Sequence, residues 1–243
     1  MKRLVPVAVV AAVFGFIGTA NAADLPVKAP AYKAPPPVTL YNWSGLYLGI
    51  NGGYGWGKTT GDWFGFRGGN FDINGGLFGG QIGFNYQLHT SPLVLGVEAD
   101  WDWADIKGSH TYQPALPITV TNAAKIKDLG TVRGRVGYAW DRVLLYGTGG
   151  WAWSRRATVD FTCGGPCVPS FATDSHSLSG YAVGGGVEYG ITQNLSMKAE
   201  YLYVHLRPTD YFVSLGCTVG TCSIGANINV VRLGLNWRFT GLP

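Results

Sequence analysis

Leu93-Val94-Leu95-Gly96-Val97-Glu98-Ala99-Asp100-Trp101-Asp102-Trp103 alternates from Leu95 onward. Leu93, Leu95, Val97, Ala99, Trp101 and Trp103 share one parity, while Glu98, Asp100 and Asp102 share the other. A helix would scatter those carboxylates around its circumference, whereas a strand gathers them on one face because side chains alternate across it. The stretch reads as a strand with one apolar and one acidic face.

Seven further segments keep the same period of two. Leu46, Leu48, Ile50, Tyr54 and Trp56 alternate with Gly45, Gly49, Asn51 and Gly53; Phe78, Ile82, Phe84 and Tyr86 alternate with Gln81, Gly83 and Asn85. Val132, Val136, Tyr138 and Trp140 oppose Thr131, Arg133 and Arg135, and Val143, Leu145, Trp151 and Trp153 oppose Tyr146, Thr148 and Ser154. Tyr181, Val183, Val187 and Tyr189 oppose Gly184, Gly186 and Glu188. Leu195, Met197, Ala199, Tyr201 and Tyr203 oppose Ser196, Lys198 and Glu200, and Val231, Leu233, Leu235, Trp237 and Phe239 oppose Arg232, Gly234, Asn236 and Arg238. Eight strands are predicted. Tight turns at His89–Pro92, Ala139–Arg142 and Ile191–Asn194 alternate with polar, Gly- and Pro-rich loops at about 58–71, 107–124, 155–177 and 206–227.

Short turns at one end and long loops at the other are the pattern of a transmembrane barrel. A soluble barrel such as a lipocalin would carry its apolar face inward around a ligand. The aromatic residues decide between them. If the first strand rises from the short-turn side, Trp56, Trp101, Trp103, Trp151, Trp153, Tyr201 and Tyr203 fall at the long-loop end. Tyr86, Tyr138, Trp140, Tyr189, Trp237 and Phe239 then fall at the short-turn end. Two belts on the apolar face match two bilayer interfaces, and only a closed barrel satisfies strand backbone groups in lipid. The predicted fold is an all-β, eight-stranded, antiparallel up-and-down transmembrane β-barrel over residues 42–243. An even strand count puts both termini on one side, the periplasm, with the long loops outside the cell.

The N-terminus supports export. Lys2 and Arg3 precede an apolar run from Leu4 to Gly18 and an Ala20-Asn21-Ala22 cleavage site, so residues 1–22 read as a signal peptide. Residues 23–41 hold five of the 13 prolines and read as an extended periplasmic leader. Composition sets outer limits. Charged residues make up 13% of the chain and mean hydropathy is +0.11, which excludes a disordered chain. The longest basic runs are Lys2-Arg3 and Arg155-Arg156, so nucleic acid is not an expected partner.

GLYLGINGGYGWG, GLFGGQIGFNYQ, VLGVEADW, TVRGRVGYAW, LLYGTGG, GGGVEYGI, KAEYLYV and VVRLGLNWRF follow one another in order. Together they resemble the small porin-like outer-membrane β-barrel family of alphaproteobacteria, related in fold to the OmpA transmembrane domain. The likeness covers about residues 41–239, the signal peptide and the leader. It implies an eight-stranded outer-membrane barrel with variable surface loops, in contact with outer-membrane lipids and lipopolysaccharide. The last strand also resembles a barrel-assembly signal, in which Arg232, Gly234, Trp237 and Phe239 would be read by the barrel-assembly machinery; Thr240-Gly241-Leu242-Pro243 follow it.

The inward parity carries Glu98, Asp100, Asp102, Arg133, Arg135, Glu188, Lys198, Glu200, Arg232 and Arg238, five acids and five bases. An eight-stranded barrel is just wide enough for side chains to fill. Charges of both signs in that space are expected to pair across strands, since a buried unpaired charge costs several kcal/mol, roughly. The expectation is a polar plug; a gated or narrow diffusion pore filtered by the same charges is the alternative. Inward Gly45, Gly49, Gly53, Gly83, Gly184 and Gly186 would make room for the long side chains.

Chemistry beyond the plug is thinly signalled. His89, His110, His176 and His205 have no metal-ligand spacing, and neither a G-x-S-x-G elbow nor a nucleotide-binding glycine motif is present, so no cofactor is expected. His176-Ser177-Leu178-Ser179 with Glu188 resembles the His-x-Ser pair and acid of outer-membrane lipid A deacylases, but Leu178 stands where the serine belongs. Cys163 and Cys167 lie in the third long loop, Cys217 and Cys222 in the fourth. Outside the cell such pairs form disulfides, and two local bridges, Cys163–Cys167 and Cys217–Cys222, are expected over cross-bridges or a four-thiolate zinc site. Trp63, Phe64, Phe66, Phe71, Tyr112, Phe171, Tyr211 and Phe212 equip the loops either to hold a host or cell-surface ligand or to pack on one another. Three functions follow: an envelope structural and surface-interaction protein, which a chain poor in catalytic groups and rich in long loops favours; a narrow diffusion pore as the alternative; and a lipid-modifying enzyme as a minor one, so that no enzyme is expected.

Overall fold

The computed structural model describes residues 41–62, 70–89, 91–115, 117–165, 171–213 and 222–239. They form β1 (Gly45–Asp62), β2 (Asp72–Gln87), β3 (Leu93–Ala115), β4 (Ile118–Trp140), β5 (Val143–Gly164), β6 (Phe171–Gly190), β7 (Leu195–Asp210) and β8 (Ser223–Phe239). Each strand pairs antiparallel with the next, and β8 returns to β1, closing the ring from Leu46 opposite Phe239 to Asp62 opposite Ser223. The alternation that defined the strands fixes their faces. In β4 every residue from Thr131 to Ala139 on one parity is buried and every residue from Val132 to Trp140 on the other is exposed.

The outward face between the two aromatic belts is apolar: Ile50, Ile82, Val97, Val132, Val136, Val183, Val187 and Leu233 are all exposed. Trp140, Tyr138, Trp237, Tyr86 and Tyr189 edge it at the short-turn end, and Trp103, Trp151, Tyr201 and Trp56 at the other. Leu93 and Trp103 are ten residues apart along β3, which on a tilted strand spans roughly the 25 Å of a membrane barrel's apolar band. At the short-turn end Asp141 takes a left-handed φ of 49°, a conformation that Asp tolerates, and so closes the two-residue β4–β5 turn.

The strands overrun the belts by far more than the sequence indicates. Segments 58–71, 107–124, 155–177 and 206–227 were expected as loops, yet strand enters each and takes up most of 107–124 and 155–177: β3 and β4 stay paired up to Ala115 opposite Ile118, and β5 and β6 up to Thr162 opposite Phe171. The physical reason is that this part of the wall exchanges its faces. Above the second belt the exposed side is Lys107, Thr111, Ser175 and Thr173, while Ile73, Ile106, Ile126, Val159, Leu206, Ile224 and Ile228 fill the inside. Polar, β-branched stretches with scattered Gly and Pro look like loops in sequence, but here they form the outside of a soluble barrel. Of the loop aromatics, Phe71, Tyr211 and Phe212 belong to that inner core rather than to an exposed surface; Phe171 is exposed, Tyr112 is half-buried, and Trp63, Phe64 and Phe66 lie outside the described residues.

Candidate functional site

The lumen is stacked in three layers. Nearest the short turns, Tyr41 and Trp43 pack with the inward-facing Val94, Ala139, Leu144 and Tyr146. Hydrogen bonds fix this cap: Tyr41 N–H donates to Asp141 Oδ1 (3.1 Å), Trp43 Nε1 to the Asp141 carbonyl (3.0 Å) and Trp43 N–H to Gln87 Oε1 (2.9 Å). Tyr41, the last residue of the expected leader, is thus part of the barrel's packing. The signal peptide and the remainder of the leader lie outside the described residues.

The middle layer holds the charges, and register brings them together. Glu98 of β3 lies opposite Arg133 of β4, and Glu200 of β7 opposite Arg232 of β8. Arg133 donates to Glu98 (2.6 Å), Asp100 (2.8 Å) and Glu200 (3.0 Å). Arg232 reaches across the lumen to Asp100 and Asp102, both at 3.0 Å, while its Nε holds Glu200 at 2.7 Å. Lys198 crosses to Glu98 at 2.8 Å, and Arg135 binds Glu188 at 2.8 Å, which in turn accepts from Ser196 and Asn236. All of these side chains are buried, and the bonds across the lumen turn pairs along the wall into one network.

Arg238 does not join it. The expectation placed it among the lumen charges, but it makes no ion pair among the described residues. It lies one layer lower, over the rings of Tyr41 (4.6 Å) and Trp43 (5.1 Å), and hydrogen-bonds the Tyr41 hydroxyl and the Asn42 carbonyl. Beside the last turn the nearest electron-rich groups are aromatic faces, and a guanidinium stacks well on those.

Two tyrosines complete the network. Tyr47 donates to Glu98 Oε2 (2.7 Å) and accepts from Arg135 (2.9 Å); Tyr146 donates to Glu200 (3.0 Å) beneath the Arg135 guanidinium, 3.9 Å from its ring. The sequence signal was parity alone: both fall on the polar face of their strands. Gly83 and Gly186 stand where a Cβ would collide with the Tyr47 and Tyr146 hydroxyl ends, so those glycines make room for particular rings. Gly234, beside Lys198 and Gln81, serves the same packing, while Trp237 and Phe239 of the expected assembly signal are exposed on the outward face.

The third layer is the apolar core above the charges, which sequence reasoning missed by assigning many of its residues, among them Val159, Leu206 and Ile224, to loops. Tyr211 and Phe212 bury themselves in it. Asp174 fastens them, accepting from the Phe212 N–H (2.8 Å) and from His176 Nε2 (3.1 Å), and His176 meets Tyr211 edge to face at 4.9 Å. His176 is therefore a core-edge group. Glu188 stands at the opposite end of β6, bound to Arg135, and Leu178 faces the apolar core, so the deacylase-like set is not assembled. Among the described residues no group of three His, Cys, Asp or Glu side chains is placed to hold a metal ion. Cys163 and Cys222 are buried and neither is a free thiol; Cys167 and Cys217 lie outside the described residues.

A closed eight-stranded ring, apolar outside between two aromatic belts and charged inside, defines an outer-membrane β-barrel protein. The comparisons agree. Residues 9–239 match the outer membrane protein beta-barrel domain family, and the chain belongs to it. It is 33% identical over 234 residues to the 31 kDa outer-membrane immunogenic protein of Brucella melitensis biotype 1, covering 92% of this chain and 95% of that one. It is 32% identical over 200 residues to the 22 kDa outer membrane protein of Rhizobium leguminosarum bv. viciae, covering 82% of this chain and 79% of the other. Among solved structures it resembles Ail, the attachment invasion locus protein of Yersinia pestis, with 18% identity, a TM-score of 0.41, and coverage of 80% of this chain and 99% of that one.

Proposed function

We propose that this outer-membrane barrel is a closed envelope scaffold that displays long hairpins outside the cell, with both termini in the periplasm. The observation that carries this reading is the stacking of aromatic cap, ion network and apolar core across one narrow lumen. A water path would have to cross all three layers, and the apolar one offers water no partners. The immunogenic names of the Brucella relatives support surface display. On this reading the outward girdle meets outer-membrane lipids and lipopolysaccharide, Arg232, Gly234, Trp237 and Phe239 are read by the assembly machinery, and the hairpin tips meet a host or cell-surface ligand. Disulfides Cys163–Cys167 and Cys217–Cys222 close the two tips that carry cysteine.

Planar-bilayer recording of the refolded protein tests the scaffold. Wild type is expected to give only rare, small openings. Glu98→Ala, which strips a partner from Arg133 and Lys198, is expected to give more frequent ones. Steady porin-sized conductance from wild type would overturn the closed lumen and establish the diffusion-pore reading.

A further inference from the structure

Just above the second aromatic belt the wall is irregular at one height on neighbouring strands. β3 is out of step with β4 between Trp103 and Ile106, and β5 with β6 between Ser154 and Ala157. A bulge re-aims side chains, and in β5 it does so conspicuously: Arg155 and Arg156, consecutive in sequence, are both exposed. Asp128 of β4 is nearly fully buried and holds that bulge, its Oδ1 accepting from Ser154 Oγ (3.0 Å), Arg155 N–H (2.9 Å) and Arg156 N–H (3.1 Å). Arg155 lies over the Trp101 ring at 4.3 Å, and Trp101 adjoins Trp153, so one guanidinium is docked onto the belt itself. Lys127 is exposed beside them, and one register step away Lys125 and Lys107 lie opposite each other, both bonded to Asp105 at 3.0 Å. Five cations on three adjacent strands thus face two carboxylates, one of them buried in the bulge.

We propose that this face of β3–β5 is a binding site for the phosphate groups of lipopolysaccharide. Its height chooses the ligand. The tryptophans mark the level of the lipid interface, so the cations above them stand where outer-leaflet headgroups stand. The Arg156 guanidinium also pairs with Asp128 (3.6 Å), which sets it beside the clamp while its side chain stays exposed. Guanidinium forks are suited to bidentate phosphate contact, and the flanking indoles to the glycolipid's apolar flank. The site rests on the proposed orientation, hairpins outward, which puts it in the glycolipid leaflet.

The test uses full-length protein refolded into phosphatidylcholine nanodiscs and titrated with lipopolysaccharide, dephosphorylated lipopolysaccharide, phosphatidylglycerol or inorganic phosphate. Wild type is expected to bind the phosphorylated glycolipid alone with measurable affinity. The variant Lys127→Gln/Arg155→Gln/Arg156→Gln, altered only at exposed positions, is expected to bind it at least about tenfold more weakly, since each interfacial cation contributes roughly fivefold. Asp128→Ala separates a built site from diffuse charge: charge counting expects tighter binding once a carboxylate is removed, whereas loss of the bulge clamp expects weaker binding. Equal binding by wild type and the triple variant would overturn the site. Equal binding of phosphatidylglycerol or free phosphate would overturn its assignment to the glycolipid, and tighter binding by Asp128→Ala would overturn the clamp. Protease treatment of intact cells reads the orientation separately: cleavage only at the short turns would put the patch on the periplasmic side and overturn its cellular role, whatever the nanodiscs report.

Discussion

The two halves of this barrel are built on one wall with opposite chemistry. Between the belts, Val97, Val132 and Leu233 face out while Asp100, Arg133 and Arg232 face in; beyond the second belt, Lys107, Thr111 and Ser175 face out while Ile106, Val159 and Ile228 face in. The strands run through the change without ending. What differs is the medium outside, and the inversion teaches that a sheet's inner face is chosen by what its outer face must meet. Where lipid takes the apolar side chains, the polar ones are left to pair among themselves; where water takes the polar ones, an ordinary dry core results.

Substitutions that carry one half's chemistry into the other test the contrast. The largest effect is expected in the ion network: Arg133→Ala takes from Glu98, Asp100 and Glu200 one of the two guanidinium groups they share, the other being Arg232, and should cost about 3–5 kcal/mol in urea unfolding from lipid vesicles. A small loss would mean the charges are hydrated and the lumen is wet. Next, Ile228→Ala in the upper core should cost about 2–4 kcal/mol by the same assay, as a buried aliphatic does in a soluble protein.

The outer face gives the sharpest paired measurement. Val97→Arg should cost roughly 2–4 kcal/mol near the bilayer midplane. Thr121→Arg on the polar upper wall should stay within about 0.5 kcal/mol, the range of ordinary surface changes. If the two cost the same, the boundary between the halves is misplaced.

The smallest effect concerns the fastening of Tyr211 and Phe212. Burial pushes the Asp174 carboxyl up, but the Phe212 N–H and the His176 ring outweigh it and hold it below its usual value. A group whose folded value is depressed stabilises fully above its unfolded value, near pH 4, and loses that contribution as pH falls through the folded one. Hydrogen exchange at the Phe212 amide should therefore be flat from pH 7 to about 4, after allowing for intrinsic rates, and gain protection loss only below that. Loosening between pH 5 and 7 would mean that the Asp174 carboxylate is not what fastens the pair.

How far the sequence was legible follows the same division. In the membrane half, Leu93–Trp103 and its seven counterparts displayed strand, face and belt directly, because lipid demands an apolar parity with almost no exceptions. Parity also placed Glu98, Arg133 and Arg232 inside. It could not show that Arg232 and Lys198 reach across the lumen, since period two speaks of one strand and not of its distance from the far wall. Nor could it separate Arg238 from the others, because the aromatic cap that receives it comes from Tyr41 and Trp43, ahead of the first strand. In the upper half, inverted faces, bulges and Thr-, Ser- and Gly-rich stretches hid the strands, and with them the core that Phe71, Tyr211 and Phe212 share.

The seam between β1 and β8 has a consequence for how the chain reaches this state. From Leu46 opposite Phe239 to Asp62 opposite Ser223, the first strand finds its second partner only in the eighth. Until then β1 and whichever strand is newest each present an open edge of unpaired backbone groups, and the contacts that close it carry the greatest sequence separation the barrel has. No partial set of strands is a smaller version of the finished molecule. The chain must be kept apart from its neighbours while incomplete, and it gains a bilayer-compatible surface in one final step of closure.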